Sequence, residues 1–161
     1  MLKPDIYEVT VIGKGSLYAM PRPSSEWLED DVKYYASLGV DLVISHLEKH
    51  EERELGLRQE EVRLKEADID FISYPIADRG LPDTEKYLAF IEGVYQRLLA
   101  GDNVAVHCRV GIGRTGMTTA SLLVRDGYSG KVAIDMVSAA RGVPIPDTEE
   151  QYDFICSKWA S

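Results

Sequence analysis

The spacing of apolar and polar positions changes several times along the chain, and each change marks an element. Between Tyr7 and Met20, short runs flank Gly13-Lys14-Gly15-Ser16, which predicts two short strands joined by a turn. Ser25, with Glu26 and Glu29 in the turn that follows, predicts a capped helix running to about Leu38. Asp41-Leu42-Val43-Ile44-Ser45 is apolar on both faces and predicts a buried strand. The stretch from Glu51 to Asp68 is charged and helical, interrupted near Gly56, and reads as a solvated face. Asp70-Phe71-Ile72-Ser73-Tyr74 predicts another strand, ended by Pro75. From about Thr84 a helix is expected, with Leu88, Ile91, Val94, Tyr95 and Leu98 on one face.

Gly101-Asp102-Asn103 then turns the chain into the strand Val104-Ala105-Val106-His107. Helices are expected from near Arg114 to just before Gly127, from about Gly130 to Arg141, and from Thr148 to Ala160. Strands alternating with helices predict an α/β fold with a central, largely parallel twisted sheet flanked by helices. The chain of 161 residues shows no repeat and no linker-like tract, so residues 1–161 are expected to form a single domain.

Composition narrows the class. No apolar run approaches the roughly 20 residues a membrane-spanning helix needs, and the N-terminal MLKPDIYEV puts charge and proline where a secretory signal would be apolar. A soluble cytoplasmic protein with no membrane partner is expected. The net charge of −9 argues against a nucleic-acid partner, which would require a basic face. It also means that an anionic substrate would need a small, concentrated positive site. Cys108 and Cys156 are too few for a disulfide framework. His46, His50 and His107 lie in no zinc-ligand spacing with them, so no metal or other cofactor is expected.

The chemistry concentrates in His107-Cys108-Arg109-Val110-Gly111-Ile112-Gly113-Arg114-Thr115-Gly116. A buried strand leads in, two glycines follow, and a helix opens on Arg-Thr. Such a loop can turn the backbone N–H groups of Arg109, Val110, Gly111, Ile112, Gly113 and Arg114 toward one point at a helix N-terminus, which makes an anion site. Those donors, with the arginine, also favour a thiolate at Cys108 as nucleophile. Arg114 can fork two N–H bonds to two oxygens of a phosphoryl group.

The string His-Cys-x-x-Gly-x-x-Arg-Thr-Gly resembles the signature loop of the protein tyrosine phosphatase superfamily. Arg22-Pro23, the Trp27-Leu28-Glu29 helix start and Pro146-Asp147-Thr148-x-x-Gln151 resemble its small dual-specificity members more loosely. The resemblance implies that Cys108 attacks phosphorus to give a cysteinyl-phosphate, that Arg114 and the loop amides hold the phosphoryl oxygens, and that Thr115 hydrogen-bonds the sulfur. His107 would orient the loop in a supporting role.

A phosphate ester also needs a proton for its leaving group and then an activated water, and one carboxylic acid can serve both. Pro75-x-x-Asp78-x-x-x-Pro82 resembles the family's general-acid loop, and Asp78 is the expected acid. Asp83 competes, although its place beside Thr84 suits a helix cap. Gln151 has two readings: it can position the hydrolytic water, as in related phosphatases, or close a capping box with Thr148. Val110 and Ile112 stand where inositide-directed relatives often carry lysines, which lowers the expectation of a highly charged inositide. Arg109, Arg79 and Arg22 are candidate cations at the rim.

The expected substrate is phosphotyrosine in a protein or peptide, with phosphoserine and phosphothreonine as alternatives, and the loop is expected to hold phosphate or another oxyanion. Gly111-x-Gly113-x-x-Gly116 also satisfies a dinucleotide fingerprint, with Asp135 downstream. The residues around Asp135 follow a helical rather than a strand period, and too little chain remains to complete such a fold. A catalytically dead binding module would lack the cysteine, arginine or acid. An oxyanion reductase would need a resolving cysteine near Cys108, and only Cys156 is available.

Overall fold

The computed structural model describes residues 3–157. The element order is β1 (Tyr7–Ile12), β2 (Gly15–Met20), α1 (Leu28–Ser37), β3 (Leu42–Ser45), α2 (Lys49–Glu54), α3 (Glu60–Glu66), β4 (Asp70–Ser73), α4 (Thr84–Ala100), β5 (Val104–His107), α5 (Gly113–Arg125), α6 (Gly130–Arg141) and α7 (Glu149–Ser157). The strands form one sheet in the order β1-β2-β5-β3-β4. β1 and β2 are an antiparallel hairpin, whereas β2, β5, β3 and β4 pair in parallel, as expected for strands joined through helices.

Both faces of the sheet are covered, which is why β3 and β5 are buried at every residue. Alternation sorts their side chains. Leu42, Ile44, Val104 and Val106 face a core built on α4, α5, α6 and α7, whereas Val43 and Ala105 face a second core under α1 and α3. β5 is the middle strand, so its C-terminal end opens onto the centre of the sheet edge. His107 and Cys108 leave the strand there.

Several expectations need correcting. α1 begins at Leu28 rather than after a Ser25 cap: the Trp27 N–H donates to Ser24 Oγ at 3.3 Å, and Ser24 N–H to Asp31 at 2.8 Å. On α4 the buried stripe is Tyr87, Ile91, Val94, Tyr95 and Leu98, with Tyr87 taking the place assigned to Leu88. The segment 51–68 splits into α2 and α3 around Gly56, but it is not simply a solvated face, because Glu51 and Glu60 are buried. Asp135 lies within α6, so no strand follows α5 where a dinucleotide fold would need one. The predicted end of the last helix at Ala160 lies outside the described residues. Among the described residues, no helix is long and apolar enough to cross a membrane.

Candidate active site

The loop between β5 and α5 is shaped by where its carbonyls go. Arg22 N–H donates to the Arg109 carbonyl at 3.3 Å, and Arg141 donates from Nη2 to Val110 at 2.8 Å and from Nε to Gly111 at 3.3 Å. With these carbonyls drawn outward, the N–H groups of residues 109–112 meet no protein acceptor among the described residues. They form the concave, donor-rich surface an anion requires. Gly111 sits at φ +80, and a Cβ there would lie 2.6 Å from the Met20 carbonyl oxygen, so the turn needs glycine. A Cβ on Gly113 would lie 2.6 Å from an Asp147 carboxylate oxygen, which shows how closely the segment before α7 packs on the loop.

Arg114, in the first turn of α5, is 1% exposed. Its Nη1 donates to Glu51 Oε1 at 2.6 Å and its Nη2 to Oε2 at 2.9 Å, a two-point grip on a carboxylate that is itself buried. Nη1 also reaches the Ile76 carbonyl at 2.8 Å and the His46 carbonyl at 3.2 Å. Nη2 makes a longer contact of 3.4 Å with Asp78 Oδ1. Burial pushes the Glu51 carboxyl up, but its bonds to Arg114, Glu48 N–H and Arg109 outweigh that and hold it at about 2.

Two histidines stand side by side, His46 just past β3 and His107 at the end of β5, and their pKa values are shifted in opposite directions. Burial alone would lower the pKa of His107. Glu60 at 2.6 Å from Nε2, and the Cys108 carbonyl at 3.1 Å from Nδ1, raise it instead. Both ring nitrogens therefore face acceptors, the arrangement an imidazolium satisfies. His46 is fully buried, and burial drives it down to about 4 with help from His107 and Arg114, against the opposing pull of the Tyr74 carbonyl. Its Nδ1–H donates to the Tyr74 carbonyl at 2.7 Å, which leaves Nε2 to accept from Thr118 Oγ1 at 2.7 Å. Thr118 in turn lies 2.7 Å from the Tyr87 hydroxyl. This chain ties the stem of the Asp78 loop to α5 and α4.

Cys108 is 2% exposed, at the floor of the loop. The Thr115 hydroxyl is buried and has no hydrogen-bond partner among the described residues, so the predicted bond to the sulfur is not formed here and the donor is unspent. Asp78 is exposed, on a loop that turns sharply: Gly80 N–H donates to the Ala77 carbonyl at 2.7 Å, and Arg79 adopts φ +61. Asp83 caps α4, accepting from Lys86 N–H at 3.1 Å. The capping box at Gln151 is formed, with Thr148 Oγ1 accepting from Gln151 N–H at 3.0 Å. Gln151 Oε1 accepts from the N–H groups of Asp147 and Thr148, and Nε2 donates to the Gly80 carbonyl at 3.2 Å. Gln151 thus fastens the Asp78 loop to the start of α7.

A family model described as "Polymorphic toxin system, DSP-PTPase phosphatase" matches residues 19–128, from β2 past the end of α5, including Asp78 and the whole loop from Cys108 to Arg114. The chain belongs to this family.

Among curated proteins, an Arabidopsis thaliana phosphatidylinositol 3,4,5-trisphosphate 3-phosphatase and protein-tyrosine-phosphatase is 36% identical over 80 residues, 45% of this chain and 19% of that protein. A mouse (Mus musculus) protein tyrosine phosphatase domain-containing protein is 31% identical over 119 residues, 68% of this chain and 16% of that one. The chain therefore spans under a fifth of the length of these relatives. The crystal structure of kinase associated phosphatase, with serine replacing its catalytic-site cysteine, superposes with a TM-score of 0.87 at 21% identity, over 96% of this chain and 93% of that one. At that identity the fold is what is shared. The expected membership of the phosphatase superfamily and the α/β fold are both borne out.

Within this phosphatase framework the structure brings His107 at the end of β5, Cys108 on the loop, and Arg114 and Thr115 in the first turn of α5 around one loop, and carries Asp78 to the Arg114 guanidinium. Arg109 is turned toward Glu51 at 3.3 Å and Glu54 at 3.5 Å, whereas Arg79 is exposed. Cys156 is half-buried on α7 beside Gly130. The residues that sequence reasoning missed are Glu51, Glu60 and His46. A signal for the two glutamates was present: Glu51 falls four residues from Leu47 and from Leu55, and Glu60 three from Leu57 and four from Leu64. Helical spacing from leucines is a signal of burial, although of these leucines only Leu64 lies within the same helix as its glutamate.

Proposed function

We propose that this chain hydrolyses phosphate monoesters, chiefly phosphotyrosine in proteins and also phosphoserine and phosphothreonine, through a cysteinyl-phosphate on Cys108. The observation that carries this reading is the buried Arg114, gripped by Glu51 on one edge and touched only at 3.4 Å by Asp78 on the other, beside a loop of unspent N–H donors. Because Glu51 takes one proton from each terminal nitrogen, the phosphoryl group is met by the other edge, Nε and the second Nη2 proton. The arriving anion displaces Asp78 from that proton, and Asp78 is thereby freed for proton transfer.

The Cys108 thiolate attacks phosphorus in line with the ester oxygen. The P–O bond breaks as the S–P bond forms, and the leaving oxygen takes a proton from Asp78. Arg114 and the amides of residues 109–114 hold the three equatorial oxygens, where charge spreads in the transition state. Water then attacks phosphorus and gives its proton back to Asp78, while phosphate departs and the electron pair returns to sulfur. The unpartnered Thr115 hydroxyl supplies a donor for that thiolate. His107, held by Glu60, orients the first peptide of the loop through the Cys108 carbonyl. Gln151 positions water only after its Nε2 leaves the Gly80 carbonyl, so its water-positioning role belongs to an opened acid loop.

The test is hydrolysis of an aryl phosphate in EDTA by the wild type and by Cys108→Ser. Activity that survives chelation and disappears in the variant supports the reading. A folded, reduced wild type without activity, or activity retained by Cys108→Ser, refutes it.

A further inference from the structure

His46 is fully buried beside the site, yet the reaction described above gives its ring no task. Its main chain is held at both ends: the N–H donates to the His107 carbonyl at 3.0 Å, and the carbonyl accepts from Ile76 N–H at 3.1 Å and from Arg114 Nη1 at 3.2 Å. Its ring makes a second set of bonds, to the Tyr74 carbonyl and to Thr118, both at 2.7 Å. His46 therefore grips the residues on each side of Pro75, which has no N–H of its own to anchor the stem. Asp78 follows Ile76 by two residues.

The far side of the ring is locked as well. Thr118 lies one turn past Arg114 on α5, so both project from the same face of that helix. Burial keeps the His46 ring neutral down to about pH 4. A carbonyl can only accept, so Nδ1 carries the proton facing Tyr74, and Nε2 must accept from the Thr118 hydroxyl. That commits the Thr118 proton, which leaves its oxygen to accept from the Tyr87 hydroxyl at 2.7 Å. Each member has one allowed role, and the chain of donors ends on the Tyr74 carbonyl. Thr118 and Tyr87 are themselves fully buried.

Packing alone does not call for this chain. Tyr74 and Phe90 stack at 4.2 Å, and both meet the His46 ring at steep angles, 6.1 and 6.0 Å away, surroundings that a phenylalanine would suit. Polar groups placed there lose water, and their mutual hydrogen bonds offset that loss. What they add over an apolar core is a fixed orientation.

We propose that His46 is a positioning residue for Asp78: its ring, locked by Thr118 and Tyr87, holds the stem of the Asp78 loop and keeps that carboxylate within reach of Arg114 and the phosphoryl group. The proposal rests on the phosphatase reading, in which Asp78 delivers the proton.

The experiment compares two substrates within each protein, a phosphotyrosine peptide and nitrophenyl phosphate, because only the first depends strongly on a proton donor. His46→Phe keeps a ring of similar shape and removes both ring hydrogen bonds. The peptide-to-nitrophenyl ratio of kcat/KM is expected to fall by about 30-fold. The Ki of inorganic phosphate should stay at its wild-type value, because the main-chain bond to Arg114 remains. His46→Asn is shorter and fills the space less well, but it places an N–H donor where Nδ1 stands, and it is expected to recover most of the ratio. Packing alone would rank the two variants the other way. Thr118→Val removes the donor to Nε2 with little change of shape, so it should lower the ratio by about fivefold, and it serves if His46→Phe does not fold. A wild-type ratio in these variants overturns the proposal, as does an asparagine variant no better than the phenylalanine one. A Ki that rises by the factor the ratio loses puts the effect on Arg114 and overturns it too.

Asp78→Asn, measured alongside, keeps the two readings apart. If it leaves the ratio unchanged, the reading of Asp78 as proton donor falls; if the wild type fails even on nitrophenyl phosphate, the phosphatase reading falls. Amide exchange then tests the hold by itself: the Ile76 and Gly80 N–H groups should exchange faster in His46→Phe than in the wild type, and equal protection refutes it.

Discussion

The Glu51 carboxylate meets the Arg114 guanidinium at 2.6 and 2.9 Å, and both side chains are 1% exposed. Burying two such charges costs several kcal/mol each, and the pair is tolerable only because the bonds are short, doubled and supported by the His46 and Ile76 carbonyls. The functional gain is orientation: one edge of the guanidinium is fixed on Glu51, so the other must face the loop.

Glu51→Gln tests this. The amide keeps the shape but offers one oxygen and no charge, leaving a buried cation half-matched. Stability should fall by about 3 kcal/mol, which for a chain of this size is on the order of 10 °C in Tm. The kcat/KM for an aryl phosphate should fall by about 100-fold. Thermal melts and steady-state kinetics check both, and a variant that melts and turns over like the wild type removes Glu51 from the site.

Three buried groups together predict how stability varies with pH. Glu51 is held at about 2 instead of 4.5, so its contribution is present above 4.5 and is lost as pH falls toward 2. His46 is lowered from 6.5 to about 4, so the unfolded chain takes up a proton first and stability also declines as pH falls from 6.5 to 4. His107 is raised, so its contribution is complete below 6.5 and is lost as pH rises through its folded value. Stability should therefore peak near neutrality and fall on both sides, as urea unfolding across pH will report. At pH 6, ring-nitrogen NMR should show His46 neutral with its proton on Nδ1 and His107 doubly protonated. Glu60→Gln should move the His107 titration to lower pH.

The parts of the site that were legible in the sequence are those set by local pattern. The loop from His107 to Gly116 reads directly, because a buried strand, two glycines and a helix start dictate one local geometry. Asp83 and Thr148 read as caps because capping is a three-residue event. Glu51 and Glu60 were illegible as partners: their bonds span 63 and 47 residues of sequence, and spacing from leucines marks a buried face without saying which side chain meets it. The opposite pKa shifts of His46 and His107 were likewise hidden, since both follow from burial and neighbours that only the fold brings together.

Gln151 joins the start of α7 to the Gly80 carbonyl. Gln151→Ala removes the cap and the tether at once. The cap alone is worth about 1 kcal/mol, and the tether adds a partly buried acceptor left unpaired, so a loss of about 2 kcal/mol is expected. If the tether holds the Asp78 loop, amide exchange at residues 77–80 should quicken more than at α7 itself. Exchange that quickens only within α7 would reduce Gln151 to a cap.

Asp78 touches Arg114 at 3.4 Å yet remains more than half exposed, so it can leave the guanidinium without unfolding anything. Its proposed task is to protonate the departing oxygen, and the need for that proton depends on the ester. A nitrophenolate leaves with little help, whereas a tyrosine phenolate or a serine alkoxide does not. Asp78→Asn should therefore slow hydrolysis of an activated aryl phosphate by about 10-fold and of a phosphotyrosine peptide by about 10³-fold, with the Tm unchanged. Plotting log kcat/KM against leaving-group pKa should give a nearly flat line for the wild type and a steep negative slope for the variant. Equal slopes would mean that Asp78 only holds Arg114 in the empty site and that another group delivers the proton.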